Sequence, residues 1–150
     1  MGGGDTAVAK LRLLLKTEGQ ITVYDDAPAP EIATWADAGL LTISRPPMSV
    51  EQARHACLIH AAAEDDTRDD ATHQTAKDAG TLFNWVDNLK NSDFITPAIV
   101  DRDPVTVAIG TEGAAPVVAR AIKRDIEGHL PQALGKLAQI GQAFRSHADA

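Results

Sequence analysis

The sequence predicts an α/β fold: a mostly parallel sheet covered by helices, followed by a β-hairpin and a helical segment. Two observations carry this. Between residues 5 and 86, segments with helical spacing alternate with short β-rich runs, the pattern of parallel strands joined by crossover helices. After Asp87 the texture changes to two β-rich runs around a proline turn and then two helical stretches. The 150 residues suffice for one domain plus a small appendage, and a 44% apolar content supplies a packed core.

Each element has a local reason. Val8, Leu11, Leu14 and Leu15 recur at helical spacing within 5–16, and Gly19 closes that stretch. Residues 21–24 are partly β-branched and read as a strand. Pro30 suits a first helical turn, so a helix is expected over 30–38, stopped by Gly39. A second strand spans 40–44, closed by Pro46-Pro47, and 50–55 is a short helical or loop piece. The small, apolar run 56–63 suits a strand buried on both faces. The acidic run from Glu64 to Asp70 complements the dipole at the start of a helix over 67–79, which Gly80 ends. Residues 81–86 form the next strand. Segments 94–101 and 105–109 flank an Arg102-Asp103-Pro104 turn, and helices are expected over 115–128 and 131–145. Asn, Lys, Ser and Asp cluster at 88–93, which divides the chain into 1–90 and 91–150.

Composition narrows the function. Lys and Arg total 14 against 21 Asp and Glu, a net charge of −7, the wrong balance for nonspecific nucleic-acid binding. No apolar run approaches the roughly 20 residues of a membrane span. The single cysteine, Cys57, has no internal disulfide partner and fits a reducing cytosol. It reads as buried packing rather than a nucleophile. His55, His60, His73, His129 and His147 form no zinc-ligand pairing with Cys57, and His60 reads as a hydrogen-bonded core residue. Trp35 reads as helix packing.

Gly2-x-Gly4-x-x-Ala7 matches the dinucleotide fingerprint with alanine in the third position. The glycines permit a tight turn and let backbone approach a pyrophosphate at the helix N-terminus. Asp25 and Asp26 follow Gly4 by 21 and 22 residues, at the end of the next strand, where an acidic side chain binds ribose hydroxyls and repels a 2′-phosphate. Nothing basic follows them directly, so NAD is expected rather than NADP. The competing reading is a flexible glycine tail and two turn aspartates before Pro28. The fingerprint calls for a strand before its glycines, and only Met1 stands there. The expected sheet is therefore Rossmann-like with its first strand missing.

The segment 84-NWVD-87, followed by 94-FITPAIVDRDPVTVAIGTEGAAPVVARAIKRDIEGHLP-131, resembles the dehydrogenase/ferrochelatase half of siroheme synthases. The opening GGGDTAVAKLRLLLK resembles the same family's phosphate loop and first helix. The run from Ala61 to Asp66 falls where the family tends to show Ala-Ala-Thr-Asp-Asp. The resemblance implies NAD-dependent oxidation of precorrin-2 to sirohydrochlorin, with ferrous iron as a second substrate where siroheme is formed. It implies a cytoplasmic homodimer joined through the segment after residue 91. By position it implies that Gly2, Gly4, Asp5, Thr6, Asp25, Asp26, Ala62 and Ala63 contact the coenzyme, and that Asp87 is catalytic. The alternative is a dinucleotide-binding relative without turnover, or an inactive fragment.

Four departures from the family pattern stand out: the absent first strand, Ala63 for the usual Thr, Glu112 for a Gly after Thr111, and a helical tail cut short at Ala150. The family commonly writes Val before its three glycines. A GTG codon read as a start would give Met there, placing the true beginning roughly 20 codons upstream.

Oxidation of precorrin-2 removes a hydride and a proton. NAD accepts the hydride, and a carboxylate near the reacting carbon can take the proton. Asp87 closes a strand, and alternation would put Trp85 on its face. The competing reading is a strand-terminal or capping aspartate. The tetrapyrrole carries many carboxylates, for which Arg102, Thr111 and Arg120 are binding candidates. Arg124 is a further one, whereas Lys123 reads as part of a solvated helix face.

Overall fold

The computed structural model describes residues 2–148, with side chains described through Arg145. The chain forms two compact units, one ending at Phe94 and one beginning at Ile95.

In the first unit, α1 (Asp5–Leu14) precedes β1 (Thr22–Tyr24), which pairs in parallel with β2 (Thr42–Ser44). Their crossover is α2 (Pro30–Asp37), with Pro30 in the first turn, where its missing N–H costs nothing. A second parallel pair joins β3 (Leu58–Ala61) to β4 (Leu82–Trp85), in the register Leu58–Leu82 to Ala61–Trp85. α4 (Asp66–Ala79) crosses between them. The short α3 (Val50–Arg54) starts with a reciprocal capping box between Ser49 and Gln52. α4 is capped by Asp65, whose carboxylate accepts the N–H groups of Thr67 and Arg68.

Each strand pair has its own core. Val8 and Leu11 of α1, Val23, Ile32 and Leu41 are buried together beside the first pair. Met48, Ala53, Ile59, Ala76, Phe83 and Trp85 are buried around the second. His73 of α4 stacks on Phe83 with ring centroids 4.9 Å apart. Among the described residues no strand precedes α1, and β1 and β3 do not pair with each other. Between them lies a groove of about 660 Å³, lined by residues 21–24, residues 57–60 and the Ala7, Lys10, Leu11 and Leu14 face of α1.

That groove explains two departures from the sequence reading. The run 56–63 was expected to be buried on both faces, but only 58–61 is strand and Leu58 is 47% exposed. Cys57, expected in the interior, is exposed. Both lie where β3 turns its unpaired edge to the groove, so no neighbouring strand covers them.

In the second unit, β5 (Ala98–Arg102) and β6 (Val105–Ile109) form an antiparallel hairpin with Val100 opposite Val107. Residues 94–97, expected to be β, are not strand, because the register already closes at Ala98 opposite Ile109. α5 (Pro116–His129) and α6 (Leu134–Ala148) follow. Val100 is fully buried, and Ala119 of α5 is buried too. α6 passes the hairpin turn at Gly135, where a β-carbon would overlap the carbonyls of Arg102 and Asp103.

Candidate functional site

The expected coenzyme residues gather at the carboxyl ends of the parallel strands. The Gly2 N–H donates to the Tyr24 carbonyl at the end of β1 (3.3 Å). Gly2 has φ 109°, and a β-carbon there would overlap the Ala62 carbonyl just beyond β3. A side chain at this position is therefore excluded twice, by conformation and by space. Gly3 packs on the Asp25 carboxyl and Pro28 with similar tightness. Val86 donates its N–H to Ala61 (3.0 Å), which brings the end of β4 to the same place. The glycine loop thus rests on both strand pairs.

α1 begins immediately after Gly4, and Gly4 supplies no side-chain cap. The leading amides of that helix point outward with the positive end of its dipole, an anion-binding arrangement. Glu64 takes up one of them. Its Oε1 accepts the Thr6 N–H at 3.1 Å, and these hydrogen bonds hold its carboxyl below the usual carboxylate range. Asp5 is exposed in the first turn of α1.

Asp25 and Asp26 separate in character. Asp26 is exposed, whereas Asp25 is buried and both of its oxygens are engaged. Oδ1 accepts from the Ala27 N–H (2.9 Å) and Oδ2 from the Arg68 guanidinium (3.0 Å). Ala62 is buried against Gly2, and the Ala63 N–H donates to Asp69 (3.0 Å). Asp69 is itself buried, which raises its carboxyl pKa above the usual value.

Asp87 is exposed at the end of β4, but it is not part of the strand. It sits in the following turn at φ 64°, left-handed backbone that aspartate adopts more readily than most residues. Strand alternation therefore stops before it and does not align it with Trp85, whose ring lies in the β3–β4 core. The negative charge of Asp87 reaches Lys10 on α1. Burial pushes the Lys10 ammonium below its usual pKa, and Asp87 works against that shift. His60 meets the Asn84 side chain at 3.1 Å, so it is hydrogen-bonded as expected, but it is half-buried at the groove rather than in the core; burial lowers its pKa.

The candidates of the second unit divide. Arg102 donates to the carbonyls of Asp101, Glu127 and Leu130, so its guanidinium closes the C-terminal end of α5. Thr111 accepts the Ala115 N–H through its hydroxyl (3.3 Å) and shapes the turn into α5. Glu112 stands in that turn at φ 51°. Arg120 is exposed on α5, and Lys123 faces Glu127 at 3.7 Å.

Sequence reasoning missed Glu64, Arg68 and Lys10 as members of the site. Arg68 reads in sequence only as part of a helix start, and Glu64 as part of that start and of the Ala61–Asp66 run. Their partners lie 58 and 43 residues away in sequence, so no local spacing signals either contact.

Comparison with known proteins fits this arrangement. Residues 1–98 match the model of a family described as "Putative NAD(P)-binding". The chain belongs to this NAD(P)-binding family. Siroheme synthase 2 of Serratia proteamaculans is 38% identical over 145 residues, covering 97% of this chain and 31% of that protein. Siroheme synthase of Nitrosococcus oceani is 35% identical over 146 residues, again 97% of this chain and 31% of the relative. The chain therefore spans about a third of the length of the siroheme synthases it matches. A solved structure titled "SirC, precorrin-2 dehydrogenase" superposes with a TM-score of 0.80 at 25% identity, covering 97% of this chain and 71% of that one. The Rossmann-like α/β fold expected from the sequence is thereby shown, as is the likeness to siroheme synthases.

The family's nucleotide coenzyme suits the residues present. Two glycines leave no room for side chains beneath the loop, the N-cap Gly4 leaves the leading amides of α1 without a side-chain cap of its own, and a buried aspartate follows β1. No described helix is long and apolar enough to cross a membrane.

Proposed function

We propose that this chain takes part in the NAD-dependent oxidation of precorrin-2 to sirohydrochlorin, with Asp87 as the proton acceptor. The observation that carries the reading is the position of Asp87. It is an exposed carboxylate, held in left-handed backbone, at the strand end that meets the glycine loop through Val86 and Ala61. Gly2, Gly4, Asp5 and Thr6 would cradle the diphosphate, Asp25 and Asp26 the ribose, and Ala62 and Ala63 the coenzyme's other side. NAD, when bound, supplies the hydride acceptor. Asp87 then takes the proton that leaves with the hydride, so the substrate loses two hydrogens. Arg68 holds Asp25 in place, and the charge of Lys10 lies within reach of Asp87. The exposed carboxylate of Asp26, just beyond the end of β1, favours NAD over NADP.

Thr111 and Arg120 are proposed to meet substrate carboxylates. Arg102 is assigned the α5 cap instead, because three carbonyls already take its N–H groups. Ferrous iron is a further proposed substrate, with Asp87 receiving pyrrole protons. Leu137, Ile140 and Phe144 expose 66%, 56% and 76% of their surface along one face of α6, which supports a homodimer. A cytoplasmic location completes the reading.

The test is anaerobic incubation with precorrin-2 and NAD, following NADH formation, together with a separate calorimetric titration of NAD. Asp87→Asn is expected to lose turnover by at least about a hundredfold while binding NAD as before. Undiminished turnover in that variant would remove Asp87 from the chemistry.

A further inference from the structure

The connection from β3 to α4 spends its side chains on groups of the coenzyme site itself. The Ala63 N–H donates to Asp69, which ties this loop to the first turn of α4. Arg68 reaches Asp25 from that turn. Glu64 turns toward the glycine loop instead. Its Oε1 sits 3.1 Å from the Thr6 nitrogen and 3.2 Å from where a side chain on Gly4 would begin. To reach there, Glu64 holds φ 57°, a left-handed backbone that costs a residue with a β-carbon free energy. A carboxylate on the leading amides of α1 stands where any anion binding that helix end must stand.

We infer that Glu64 is a built-in anion that competes with the coenzyme diphosphate for the N-terminus of α1, and so sets coenzyme affinity. The inference rests on the NAD reading above and adds a determinant within the same site. Diphosphate binding must first release the Thr6 N–H from Glu64. A carboxylate that stays nearby afterwards repels the arriving charge. Glu64 is exposed, so water replaces its lost partner, and the penalty is several-fold in affinity rather than many orders. The low carboxyl pKa of Glu64 agrees, since it keeps the competing charge in place at neutral pH.

Calorimetric titration of NAD into the wild-type chain, Glu64→Gln and Glu64→Ala tests this. Glu64→Gln keeps an oxygen acceptor without charge, and Glu64→Ala vacates the helix end. The Kd for NAD is expected to fall about three- to tenfold in Glu64→Ala and by a smaller factor in Glu64→Gln. Adenosine, which carries no phosphate, is expected to bind all three alike. Wild-type binding of NAD with an unchanged or weaker Kd in Glu64→Ala overturns the inference and leaves the NAD reading standing. Failure of all three proteins to take up NAD overturns the NAD reading and the inference with it.

Discussion

Arg68→Ala leaves the Asp25 carboxylate buried with one backbone donor, the Ala27 N–H, in place of two partners. The Asp25 side chain is 7% exposed, so little water can replace the guanidinium. A hydrogen bond to a charged group contributes about 1.5–3 kcal/mol, and stranding one partner of a fully buried pair costs about 3–5 kcal/mol. The Arg68 side chain is 42% exposed, which places this pair nearer the lower range. The expected loss is therefore about 1.5–2.5 kcal/mol, or a urea midpoint lowered by roughly 1 M. Tryptophan fluorescence is the natural probe, because both tryptophans, Trp35 and Trp85, belong to the first unit. A double-mutant cycle with Asp25→Asn isolates the pair, since the isosteric amide removes the charge and keeps the shape. A coupling energy below about 0.5 kcal/mol would show that the contact is incidental and that Asp25 is held by other means.

Two further stability measurements bear on the same unit. Phe83 is 1% exposed and packs on His73 and Trp85, so Phe83→Ala is expected to cost about 3–5 kcal/mol; a loss under 1 kcal/mol would mean that the β3–β4 core is not closed around it. Burial lowers the His60 pKa, so the folded chain prefers neutral imidazole, and the unfolded chain takes the proton first as pH falls. The His60 contribution is therefore intact above the unfolded value, near 6.5, and is lost as pH drops from there toward the lower folded value. Between about pH 7 and 5.5, wild-type stability should fall more steeply than that of His60→Gln, and parallel curves would show that His60 keeps an ordinary pKa in the fold.

Periodicity located the longer α-helices and the strands of the first unit to within about two residues, with local causes such as Pro30 at a helix start, Gly80 at a helix end and β-branched runs, but the 3-10 turn at Leu89–Asn91 was not foreseen. The hairpin was legible from the turn at Asp103-Pro104. What was not legible depends on burial and distance. Cys57 and Leu58 have apolar surroundings in sequence and an open groove in space. Asp87 looks like a strand terminus in one dimension, and only the backbone reveals its left-handed turn. Arg102 resembles a free cation for an acidic ligand until the α5 carbonyls are seen around it.

The groove between β1 and β3 has a mechanical consequence. Among the described residues no rung of sheet hydrogen bonding runs from one strand pair to the other, so the two can breathe apart without tearing a ladder. What spans them is side-chain packing, the Arg68–Asp25 and Glu64–Thr6 contacts, and Gly2, bonded to Tyr24 on one side and wedged on Ala62 on the other. Any spreading of the pairs must therefore pull on these contacts around the glycine loop, and a ligand that grips the proposed coenzyme site would rivet the halves together.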